Sequence, residues 1–154
     1  MFMRKFAQAR AAEGENLKKD LLDKIEDMRK LVDRIEELSP KILEDYKTRL
    51  REKLDEFIQR NDVEESRIAA EVTIFADKIC VDEEMVRLRS HVDAVRSILE
   101  EGGAVGRKLD FIVQEMNREA NTTLSKAGSL DVTDIGIEMK TLIEKIREQI
   151  QNLE

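Results

Sequence analysis

The sequence predicts an all-α fold of about five helices, and three observations carry that reading. Charged residues make up 40% of the chain and aromatics only 4%. One proline and six glycines leave few turn signals. Apolar residues recur at spacings of three and four through most of the length. This is the make-up of long helices laced with surface charge rather than of sandwiches or barrels. At 154 residues the chain has the size of one ordinary domain. The expected division is a long antiparallel helical hairpin over residues 1–62 and a helical bundle over residues 63–154.

From Leu17 the apolar residues Leu21, Ile25, Met28, Val32 and Ile35 form the narrow seam of an amphipathic helix that needs a partner. Ser39-Pro40 is expected to end this helix after Leu38 and to start another, with Ser as N-cap and Pro in the first turn. The second helix places Leu43, Tyr46, Leu50, Leu54 and Phe57 on one face and stops at an Asn61-Asp62 breaker. Two helices joined so tightly pack as a hairpin.

A third element begins near Glu64 with Ile68, Val72, Phe75 and Ile79, and continues with Met85, Leu88, Val92, Val95 and Leu99. The phase shifts around Val81, which predicts a kink or stutter there. Glu100-Glu101-Gly102-Gly103 is the plainest loop signal. A fourth helix runs from residue 106 to about Ala127-Gly128-Ser129, with Leu109, Ile112, Val113, Met116 and Ala120 facing the core. The fifth runs from about Asp131 to the C-terminus with Ile135, Met139, Leu142, Ile146, Ile150 and Leu153 on one stripe. Ile137 and Ile143 lie off that stripe, so this helix is expected to bury more than one side.

Twenty-seven basic and 34 acidic residues give a net charge of -7, so the chain as a whole does not attract phosphate and any nucleic-acid site must be local. The single Cys80 excludes an intramolecular disulfide, fits a reducing cytoplasm, and reads as a small apolar residue within a helix. No apolar run approaches the roughly 20 residues of a membrane span, and MFMRKFAQAR lacks an apolar h-region, so neither membrane nor export is expected.

Two polar constellations stand out. On the fourth helix Asp110, Gln114, Asn117 and Asn121 fall into one stripe, a surface that donates and accepts hydrogen bonds. Such a stripe holds a ribose, a base edge or a neighbouring subunit, or bridges helices within the fold. On the third helix Glu84, Arg87 and His91 stand at i, i+3 and i+7 along one edge of the apolar face. A carboxylate and the only imidazole could share a divalent metal or act as acid and base, with Arg87 on a phosphate, or the histidine could be structural. Phe111 lies almost opposite the core face together with Arg118, a placement that often marks an interface. There is no Gly-rich phosphate loop, HExxH, Cys/His cluster or GxSxG.

Longer stretches go further. GRKLDFIVQEMNREANTTLSK, IEMKTLIEKIREQIQNLE, FADK and EEMVRLRSH closely resemble the C-terminal part of the YicC-type family of bacterial endoribonucleases and stress-associated proteins. The opening FAQARAAEGENLKKDL is similar to the start of that region, so the resemblance covers nearly the whole chain. It implies Mn²⁺- or Mg²⁺-dependent cleavage of RNA by a ring-like homo-oligomer such as a hexamer, and stress-linked RNA turnover. Carried onto this sequence, it implies Glu84, Arg87, His91, Glu115 and Arg118 as catalytic candidates. Asp110, Gln114, Asn117 and Asn121 become RNA-binding candidates, and Glu83, Glu84, His91 and Glu119 metal ligands.

The family usually has a long N-terminal domain before this region, and where it has an acid shortly before the Glu-Glu pair this chain has Cys80. The alternative function is a non-catalytic helical oligomerisation or RNA-binding module. On either reading the narrow first seam, Phe111 and the two-sided last helix leave apolar surface to be covered. Light scattering is therefore expected to give a multiple of the 17.8 kDa chain mass, and a monomer would contradict this.

Overall fold

The structure is a computed structural model that describes residues 2–57 and 65–153, with side chains described for residues 12–56 and 65–153. The regular structure among these residues is α-helical: α1 (Phe2–Phe57), α2 (Glu65–Ile79), α3 (Asp82–Glu101), α4 (Gly106–Ser125) and α5 (Leu130–Asn152). The all-α class and the helix count agree with the sequence reading.

The boundaries differ at two places: α1 stands where two helices were expected, and α2 and α3 stand where one was expected. Helix α1 runs without a break through Ser39-Pro40, where a helix end was expected. An interior proline lacks the N–H that would reach the carbonyl of Glu36, and its ring crowds that carbonyl, at a cost of about 3 kcal/mol. Ile35 and Ile42 are buried on either side of it. Burial of two such side chains contributes roughly 1.5–3 kcal/mol each, enough to offset the proline. Ser39 does not cap a new helix; its hydroxyl donates back to the carbonyl of Ile35 at 2.9 Å. The Asn61-Asp62 breaker lies outside the described residues.

The hairpin expected within residues 1–62 is replaced by an antiparallel hairpin of different elements. Its arms are α1 and the α2–α3 run. Arg51 bonds Glu65 at 2.7 Å, Tyr46 stacks on Phe75 at 3.8 Å, and Arg29 bonds Asp93 at 2.6 Å. Residue numbers fall along one arm as they rise along the other. Arg89 bridges Asp33 and Glu36 of α1, and these hydrogen bonds hold its guanidinium even more firmly protonated than usual. The phase shift at Val81 corresponds to a break: Cys80 and Val81 are non-helical between α2 and α3. Val81 turns inward and is buried, whereas Cys80 is exposed rather than packed in a helix.

One apolar cluster joins the middle of α1 to α3, α4 and α5. It includes Ile25, Met28, Val32, Met85, Leu88, Val92, Leu109, Val113, Met116, Met139, Ile143 and Ile146. These four helices form a ring in the order α1, α3, α4, α5, and α2 packs on α1. Ile143, off the expected stripe of α5, is buried; Ile137 is exposed. The α3–α4 turn passes through Gly102 and Gly103 at φ of 74° and 83°, the left-handed region that favours glycine. Gly136 of α5 admits Leu124 of α4 so closely that an added Cβ would lie 2.6 Å from a Leu124 methyl.

Because Pro40 is exposed and its packing is supplied by its neighbours, Pro40→Ala is expected to stabilise the fold by about 1–2 kcal/mol, part of the interior-proline cost. Urea unfolding checks this, and a lower midpoint for the variant would show that α1 needs the proline.

Candidate functional site

Helices α3 and α4 run antiparallel, and their facing edges carry polar residues at matching heights. The α3 edge presents Glu84, Arg87 and His91, and the α4 edge presents Glu115, Glu119, Thr122 and Lys126, where spacings of four, three and four keep them on one side. Arg87, His91, Glu115, Arg118, Glu119 and Thr122 line a cleft of about 350 Å³ between the helices. One donor atom from each of His91, Glu115 and Glu119 falls within 4.8 Å of the other two, close enough to share one cation. Glu119 is only 6% exposed. Arg87 reaches its carboxylate from Nη1 at 3.6 Å and that of Glu83 from Nη2 at 3.4 Å. Arg118 is exposed on the rim.

The hydroxyl residues on α4 are accommodated by bonds to the preceding turn. Thr122 donates to the carbonyl of Arg118 at 3.1 Å, the buried Thr123 to that of Glu119 at 2.8 Å, and Ser125 to that of Asn121 at 3.1 Å. Thr123 thus anchors the backbone that carries Glu119.

Comparison with known proteins places this chain in a family. The family model described as "Endoribonuclease YicC-like, C-terminal" matches residues 35–154, which include α2 to α5. The chain belongs to the YicC-like endoribonuclease family. It is 38% identical over 151 residues to a protein of Clostridioides difficile (strain 630) named "Probable endoribonuclease YicC", covering 97% of this chain and 52% of that one. A protein of the same name from Haemophilus influenzae (strain ATCC 51907 / DSM 11121 / KW20 / Rd) is 40% identical over 149 residues, covering 97% of this chain and 51% of the relative. The chain therefore spans about half the length of the curated relatives it matches.

Within this YicC-like C-terminal region the residues singled out from sequence fall into three groups. Arg87, His91, Glu115, Arg118 and Glu119 come together in the cleft. The stripe of Asp110, Gln114, Asn117 and Asn121 lies on the other flank of α4, roughly 150° around the helix from Glu115 and Glu119. There Gln114 donates to Asp110 at 3.0 Å, and Asp110 approaches Arg147 of α5 at 3.9 Å. Asp110 also lines a separate hollow of about 250 Å³ with Arg107, Arg147 and Gln151. Asn117 is half-buried and Asn121 exposed. The third group is Glu83 and Glu84. Glu83 is exposed and bonds Arg87, and Glu84 lies beneath the surface at 3% exposure, outside the cleft lining.

Thr122 and Lys126 were not among the candidates. Both follow from continuing the Glu115–Glu119 edge at helical spacing, once it is known which α4 edge faces α3. Lys126 Nζ donates to Glu84 Oε1 at 2.7 Å, while Glu84 Oε2 is buried without a partner. The hydrogen bond to Glu84 raises the Lys126 pKa above its usual 10.5.

A buried carboxylate with one cationic partner is costly to leave alone and inexpensive to replace as a pair. Lys126→Met is therefore expected to lower the melting temperature, and Glu84→Met added to it to restore much of the loss. Since the folded pKa of Lys126 is raised, the stabilisation is complete below pH 10.5 and is lost as pH rises through the raised value. Calorimetry on the single and double variants checks both points; equal melting temperatures for wild type and Lys126→Met would contradict them.

Proposed function

We propose that this chain is the site-bearing C-terminal half of a divalent-metal-dependent endoribonuclease that cuts RNA at the cleft between α3 and α4. The observation that carries the reading is the convergence of His91, Glu115 and Glu119 on one small volume beside Arg87 and Arg118. The names of the relatives add the reaction class.

The donor set fits a hard or borderline cation. Two carboxylates supply oxygen ligands and His91 one nitrogen, a combination that favours Mn²⁺ over the more strictly oxygen-seeking Mg²⁺. When bound, such a cation supplies Lewis-acid stabilisation of developing phosphate charge and lowers the pKa of water. His91, Glu115 and Glu119 hold it, and the buried position of Glu119 fixes one ligand rigidly. Arg118, at the rim, draws an RNA phosphate into the cleft, and Thr122 narrows the opening on the α4 side. A net charge of -7 makes this local pair of arginines the decisive attraction for RNA.

The second reading is an assembly module, with chemistry residing in the additional length that the relatives possess. The overall negative charge favours it, as do exposed Phe111, Val86 and Ile137, which suit contacts in a homo-oligomer. No helix among the described residues is long and apolar enough to cross a membrane. We assign the protein to the cytoplasm and to stress-linked RNA turnover on the family resemblance.

Incubating an RNA with unpaired loops, with and without Mn²⁺, separates the two readings. His91→Ala and Glu119→Gln are each expected to reduce Mn²⁺-stimulated cleavage by about 100-fold, the scale of a lost ligand or acid-base group, with assembly intact. No Mn²⁺-stimulated cleavage by the wild-type chain would leave the assembly reading, and full cleavage by both variants would remove the cleft as the site.

A further inference from the structure

The geometry points to Arg87 as a gate on the cleft: its guanidinium occupies the Glu119 carboxylate and yields it to a divalent cation, which turns Arg87 towards the substrate phosphate. This inference rests on the proposed reading of the cleft and gives it an order of binding, cation before phosphate.

Three observations converge on it. Glu119 is almost wholly buried, and a buried carboxylate requires a positive partner. The guanidinium that supplies it is Arg87, at 3.6 Å. That separation is long beside the 2.7–2.9 Å usual for charge-assisted hydrogen bonds, so the contact is electrostatic and loosely held. The second Arg87 partner, Glu83, has a side chain 79% exposed, and an ion pair in water holds a long side chain weakly. Arg87 itself is 54% exposed at its side chain and has room to swing.

The same Glu119 carboxylate is one of the three donors grouped with His91 and Glu115. A divalent ion held by that group and the Arg87 guanidinium repel each other, and both draw on the Glu119 carboxylate, so binding of the ion loosens Arg87 from Glu119. It stays on the wall of the same cleft, where an anionic phosphate is the next partner. Arg118 provides the contrast. It lines the cleft but makes no ion pair with a carboxylate among the described residues, so its cation is available whatever holds Glu119. By linkage, an ion that releases Arg87 raises phosphate affinity, and bound phosphate raises ion affinity by the same factor.

The test is Mn²⁺ affinity of the 154-residue chain, read by electron paramagnetic resonance of free Mn²⁺ with no RNA present. Wild type, Arg87→Ala and Arg118→Ala are compared, with Arg87→Gln as a second variant that keeps a polar side chain of similar reach. Circular dichroism confirms equal helix content. Both Arg87 variants are expected to bind Mn²⁺ at least about fivefold tighter than wild type, while Arg118→Ala moves the affinity less than twofold, because only Arg87 competes for a ligand. Equal tightening by Arg87→Ala and Arg118→Ala would reduce the effect to general charge and overturn the gate, as would unchanged affinity in the Arg87 variants. Wild-type binding without an Arg87 effect removes the gate alone. Absence of Mn²⁺ binding in all the proteins removes the gate and the metal site together.

Discussion

The apolar seam between α3 and α4 sets the axial register on which the cleft depends. Met85, Leu88, Val92 and Val95 of α3 and Leu109, Val113, Met116 and Ala120 of α4 are buried in one cluster. The polar edges of the same helices have to follow wherever that cluster fixes them. A slip of one helical turn, about 5.4 Å, would carry His91 past Glu115 and Glu119 and leave their carboxylates without the imidazole. Close packing resists such a slip because every buried side chain in the seam would have to be repacked at once.

The register also sorts the charges by burial. Glu119 and Glu84 lie inside the edge, each answered by a cation from the opposite helix, Arg87 and Lys126. The two pairs differ in a way that matters for function. Lys126 bonds Glu84 at 2.7 Å, a tight contact suited to holding helices together. Arg87 stands 3.6 Å from Glu119, within a cleft open to solvent, a looser contact suited to exchange. Spacing and resemblance both grouped Glu84 with His91; in the structure Lys126 holds one Glu84 oxygen, and Glu84 lies beneath the surface outside the cleft lining.

Much of this was legible in the sequence, for reasons tied to particular residues. The seam from Leu21 to Ile35 and the phase shift at Val81 are statements about helical period, and period survives folding. The Ser39-Pro40 boundary failed because a local rule about proline was set against burial of Ile35 and Ile42, which only the three-dimensional arrangement reveals. The polar edge of α3 could be drawn from spacing, and Glu115 and Glu119 entered through family likeness. That they meet His91, whereas Asp110 approaches Arg147 and is bonded by Gln114, depends on which neighbour lies on each flank of α4. No spacing rule within one helix contains that information. Lys126 was missed for the same reason, since its partner is 42 residues away.

Folding brings one donor atom each of His91, Glu115 and Glu119 within 4.8 Å of one another, and we propose that together they hold one cation. Anomalous diffraction from crystals of the protein grown with Mn²⁺ tests this directly, because the metal signal reports position without reference to activity. An anomalous peak is expected between α3 and α4, within coordination distance of the His91 imidazole and the carboxylates of Glu115 and Glu119. A peak at Asp110 and Gln114 on the α5 flank, at Glu83, or nowhere on the chain would contradict it.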